Sequence, residues 1–162
     1  MSIHADWPFV TVHWQPSLGG VHMQWHSTPS SRGYRVAMET GLRLLERQGA
    51  THWLDDCRRL DQLEEADRQW YVEDWFARAK ALSLKYLAII PSEDDMLAPW
   101  VNPPGCAPRD VRIGMGREPC VAFFARPMDA MIWLGRTSGV RSVMPLEPSN
   151  DTSSRSLVSL GR

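Results

Sequence analysis

The sequence predicts an α/β fold: a mixed, mostly parallel β-sheet with an N-terminal β-hairpin and helices packed on it. Three observations carry this. Residues 8–27 alternate apolar and polar with period two about a Pro-Ser-Leu-Gly-Gly break, the pattern of a hairpin. From Ser31 the period changes to three or four, with Tyr34, Met38, Leu42 and Leu45 recurring as on an amphipathic helix. Short, wholly apolar runs such as "YLAII" at 86–90 then alternate with helical stretches, as in sheets covered on both faces.

Taken in order, Val10, Val12 and Trp14 share one face of the first hairpin strand. A turn at Pro16–Gly19 sets them opposite Trp25, Met23 and Val21, and sets His13 opposite His22 and Thr11 opposite Gln24. Ser30 or Ser31 suits the N-cap of the following helix and Gly49 its stop. "THWLDDC" reads as the next strand. "DQLE" at 61–64 has capping-box spacing for a second helix that buries Ala66, Trp70, Trp75, Phe76, Ala79 and Leu82. "KYLAIIP" is a central strand. Residues 91–118, rich in Pro and Gly, form a long loop with a short helix near 93–101, and loops of that length often act as lids. "PCVAFFARPMDAMIWLGR" supplies a last strand and a closing helix, with Pro127 in its first turn and Met128, Met131, Ile132 and Leu134 inward. The order is β-β-α-β-α-β-(α)-β-α, with right-handed crossovers expected between the later strands. One domain spans 7–135, followed by a flexible Ser, Pro and Arg-containing tail at 136–162.

Composition narrows the function classes. In 162 residues, 43% are hydrophobic and 23% charged, and the formal net charge is −1. No basic patch forms, so a nucleic-acid partner is not expected. No apolar run approaches the roughly 20 residues that span a bilayer, and no secretory leader is evident, so a cytoplasmic address is the expectation. Cys57, Cys106 and Cys120 contain no C-x-x-C pair, which argues against a disulfide framework or a thiolate zinc site.

The runs "GGVHMQWHS", "LRLLERQGA", "HWLDDCR", "DRQWYVEDWFARA", "KYLAIIP" and "FFARPMDAMIWL", in that order across about residues 9–135, resemble the bacterial STAS/SpoIIAA-like domains related to anti-sigma-factor antagonists. The resemblance implies a small, non-enzymatic α/β domain that binds a partner or ligand, with lipid-exchange domains of the CRAL-TRIO type sharing a similar fold. Phosphorylation-switched members carry a serine at the start of the helix after this strand. Here no Ser or Thr stands between Thr51 and Ser83, so that switch is not expected in its usual form.

The stretch "WLDDCRRLD" lies at the carboxyl end of a parallel strand, where α/β sheets bind ligands near a switch in strand order. Alternation puts Leu54, Asp56 and Arg58 on one side and Trp53, Asp55 and Cys57 on the other. Asp56, Arg58, Arg59 and Asp61 are the candidates for docking a protein partner, weighed against a bland reading in which Asp56 pairs with an arginine and Asp61 caps a helix. Trp70, Trp75 and Trp100 are the candidates for an apolar pocket under the 91–118 loop, weighed against core packing. Cys57 lacks an assignable base and reads as structural. His13 and His22 could share a metal across the hairpin, but two ligands are too few, and "SEDDM" at 92–96 reads equally as a helix start. No catalytic residue, cofactor or metal is assigned. The expected function is a regulatory or scaffold domain for a protein partner, with a homodimer as one form of it. The alternative is a carrier or sensor of a small hydrophobic ligand.

Overall fold

The structure, a computed structural model, describes residues 1–61, 63–92 and 119–138. Six strands lie in one sheet in chain order: β1 (Ser2–Trp7), β2 (Val10–Gln15), β3 (Gly20–Trp25), β4 (His52–Asp56), β5 (Tyr86–Ile90) and β6 (Cys120–Phe123). The first three are antiparallel neighbours, and β3 through β6 run parallel.

The hairpin takes the register that its alternation demands. Val10 faces Trp25, Val12 faces Met23, Trp14 faces Val21 and His13 faces His22. Gly19 turns the chain at φ 58, a left-handed conformation that glycine adopts without steric penalty. The sheet also begins earlier than residue 7. Ile3, Ala5 and Trp7 alternate in β1, but a register shift between Ile3 and Ala5 and an exposed edge position leave too short an apolar pattern to stand out.

Helix α1 (Ser31–Gln48) follows the sequence closely. Ser30 accepts a hydrogen bond from the Gly33 N–H at 3.2 Å, and Gly49 ends the helix in the left-handed conformation at φ 58. Its buried stripe is Tyr34, Met38, Leu42 and Leu45, together with Ala37, Gly41 and Leu44. A Cβ at Gly41 would sit 2.5 Å from the Trp53 ring, so only glycine lets the helix lie this close to the sheet.

The second helical rod departs from expectation. It runs as α2 (Glu65–Trp70), a π-helical turn (Tyr71–Trp75) and α3 (Phe76–Leu82). The capping box does not form. The Asp61 N–H donates to the Thr28 hydroxyl at 2.7 Å, and Glu64 stands at the N-cap without a side-chain cap bond. Inside the rod the Phe76 N–H reaches the Tyr71 carbonyl five residues back, which widens one turn and resets the buried stripe. Trp75 and Ala79 are therefore fully buried, while Ala66 and Leu82 face outward. In α4 (Pro127–Thr137) the inward residues are Ala130 and Leu134, whereas Met128 and Ile132 are exposed; the small Ala130 allows the close seat on the sheet.

The helices sort by face. α1 packs on β2, β3 and α3, over a core that includes Met23, Trp25, Trp53, Trp75 and Leu87. α4 packs on β4 and β5 from the other side, over Leu54, Ala88 and Ile90. Among the described strands the order never reverses, so they form no switch point of the kind expected near "WLDDCRRLD". A different gap opens instead: on the α1 face the rod leaves β5 and β6 without a helix among the described residues. No helix among them is long and apolar enough to cross a membrane.

Candidate functional site

A cleft of about 1020 Å³ occupies that gap, between the helical rod and the carboxyl ends of β4, β5 and β6. Its floor is Leu87 and Ile89 from β5 and Val121 and Phe123 from β6, which alternation turns to this face. Its wall is Tyr71, Val72 and Phe76, presented by the π turn and the start of α3. Leu60, Leu63 and Pro91 complete the apolar lining. This is the size and apolar character of a drug-sized ligand site.

Polar groups converge at the inner end. Asp55, 4% exposed, is the last residue of β4 but one, and its Oδ1 accepts a hydrogen bond from Trp25 Nε1 at 2.8 Å. The Cys57 side chain, two residues on and on the same face, also hydrogen-bonds it. Burial pushes the Asp55 carboxyl up to about 6, partly offset by these hydrogen bonds. Tyr34 stacks on Trp25 with ring centroids 5.3 Å apart, and Tyr71 stacks on Trp75 at 4.9 Å. Burial first, and the Asp55 charge second, raise both phenols well above their ordinary value. The Tyr71 hydroxyl is buried with no hydrogen-bond partner among the described residues, an unsatisfied group in a ligand-sized space.

The predicted docking residues divide. Asp56 points to the α4 face and is engaged by Arg58 through two bonds of 2.8 Å, so the bland ion-pair reading describes this pair. Arg59 is exposed, and Asp61 stands at the cleft mouth. Of the pocket tryptophans, Trp75 is core, packed edge-on against Trp53 and donating to the Met38 carbonyl at 3.2 Å. Trp70 meets Tyr34 edge-on and carries the Arg35 guanidinium over its face, outside the cleft lining. Trp100 lies outside the described residues, as do the predicted short helix, most of the 91–118 lid and residues 139–162.

Asp55, Tyr34 and Tyr71 went unweighted in the sequence. Parity already placed Asp55 beside Trp53 and Cys57; nothing local marks Tyr71, because its direction depends on the π turn. Catalysis finds few parts here. His13, His22 and His52 sit on the opposite sheet face, away from Cys57. Burial lowers the pKa of all three, to about 4 for His22. Among the described residues no group of three or more His, Cys, Asp or Glu side chains converges to hold a metal ion. No family description, curated protein or solved structure matches the chain.

Proposed function

We propose that the protein is a non-enzymatic binding domain, a carrier or sensor of a small hydrophobic ligand seated between the helical rod and β5–β6. The observation that carries this reading is the 1020 Å³ cleft ending in a buried carboxylate and a tyrosine hydroxyl that has no partner among the described residues. Apolar walls supply the binding energy, and the few polar groups at the inner end fix orientation. His13, His22 and His52 stand on the other sheet face from Cys57, which supports binding over turnover. Membership of the STAS/SpoIIAA-like group stays part of the proposal, supported by the leading antiparallel strands and the repeated strand-helix order.

The regulatory reading, docking through Asp56, Arg58, Arg59 and Asp61, is weaker on geometry because Asp56 and Arg58 satisfy each other. Native mass spectrometry of protein purified from its own host tests the choice. The expected result is a retained adduct that Val121→Trp, which fills the cleft floor, abolishes while the circular dichroism spectrum is kept. A clean mass that binds no added apolar probe overturns the ligand reading.

A further inference from the structure

The charge of the cleft says what kind of apolar ligand it suits. Its lining holds four carboxylates, Asp55, Asp61, Glu65 and Glu73, against one guanidinium, Arg68, which Glu65 already engages at 2.9 Å. Asp55 is the deepest of the four, and no Lys, Arg or His among the described residues pairs with it. A buried carboxylate without a cation is costly, and a cation delivered by a ligand relieves that cost at the moment of binding. Aromatic faces stand beside it, Tyr34 and Tyr71 at the inner end and Phe76 and Phe123 further out, and such faces attract ammonium groups through their ring quadrupoles. The buried Tyr71 hydroxyl, without a partner among the described residues, adds a hydrogen-bonding group beside Asp55.

Resting on the reading that the cleft takes a small apolar ligand, we propose that it selects a hydrophobic cation, an alkyl or aryl ammonium whose charged head reaches Asp55 and whose apolar body lies on β5 and β6. A fatty acid or other hydrophobic anion meets the opposite field and is disfavoured. The titratable neighbours of Asp55 are Asp56 on its own strand, Cys57 just past its end, Tyr34 from α1 and Tyr71 from the π turn, none of them cationic. The head group therefore titrates against Asp55.

Titration calorimetry with octylammonium, octanol and octanoate on the full chain tests the idea. Octylammonium is expected to bind at least about tenfold more tightly than octanoate at pH 7.5, a difference of one charge-assisted contact. Its affinity should rise from about pH 5 to about pH 7.5 as Asp55 ionises, while that of octanol stays flat. Asp55→Asn should lower octylammonium affinity about tenfold and change octanol less than about threefold. Should that variant fail to fold, the pH comparison on the unaltered chain decides alone. Octanoate binding as well as octylammonium, or a flat pH profile for octylammonium, overturns the cation proposal and leaves the apolar cleft standing. Binding of none of the three probes overturns both.

Discussion

Asp55 concentrates the consequences at the scale of single residues. Its carboxyl is raised from 3.8 to about 6, with burial as the largest cause. A folded state with the higher pKa holds the proton more tightly than the unfolded chain, so this contribution to stability is complete below the unfolded value and is lost as pH rises through about 6. Asn at the same position cannot ionise. The stability of the unaltered chain minus that of Asp55→Asn should therefore fall by about 2 kcal/mol between about pH 4 and pH 7, measured by urea unfolding. A difference that stays level contradicts the assigned burial. Taking the difference matters because His22, buried as the neutral ring, contributes with the opposite sign: protonating it below its unfolded value of 6.5 destabilises the fold, and both proteins share that loss. Alternation alone put Asp55 and Cys57 on the face of Trp53. Which face carries the cleft was not legible, because it depends on where the helices come to rest, and so the candidates fell on the paired Asp56 and Arg58 and not on Asp55.

The π turn is the feature among the elements that sequence periodicity could not reveal. Spacings of three and four residues predict an ordinary helix, and Trp70 and Trp75, five apart, look incompatible with one stripe. Widening one turn lets Trp75 enter the core while Tyr71 reaches the cleft and Trp70 closes over Tyr34. The amino end of the rod is then tied to α1 by Asp67, 2% exposed, which accepts Arg35 Nε at 2.7 Å and the Ser31 hydroxyl at 2.8 Å. The two ends of this tie are not equivalent. Arg35→Ala leaves a buried carboxylate with one hydroxyl partner and removes the guanidinium from Trp70, so it should destabilise by about 3 kcal/mol. Asp67→Ala frees an arginine whose side chain is already 40% exposed and rehydrates readily, so its effect should be nearer to about 1 kcal/mol. Thermal or urea melts of the two variants check the order, and equal losses would mean that the buried charge is not what the tie neutralises.

For the whole molecule, the hairpin register, the capped first helix and the alternation of strands with helices were all legible, since each rests on periodicity and on local caps at Ser30 and Gly49. Layering and strand order were not, because they follow from which helix covers which face. The result is uneven burial across the sheet. All five residues of β4 are buried, between the α1 layer and α4, whereas β6 is half-buried throughout and β1 is largely exposed. Local opening is easiest where few apolar contacts hold a strand, so amide exchange should be slowest in β4, faster in β6 and faster again in β1. The cleft makes this gradient ligand-dependent. A molecule lying on Val121 and Phe123 adds to β6 the contacts that it lacks and adds little to β4, which is already covered on both faces. Hydrogen exchange followed by mass spectrometry, with and without saturating octylammonium, should show the largest slowing in β6 and in residues 71–76, with β4 almost unchanged and β1, remote from the cleft, unaffected. Slowing spread evenly over the sheet would mean global stabilisation by a probe seated elsewhere, and slowing confined to β1 and β2 would move the binding site to the opposite edge.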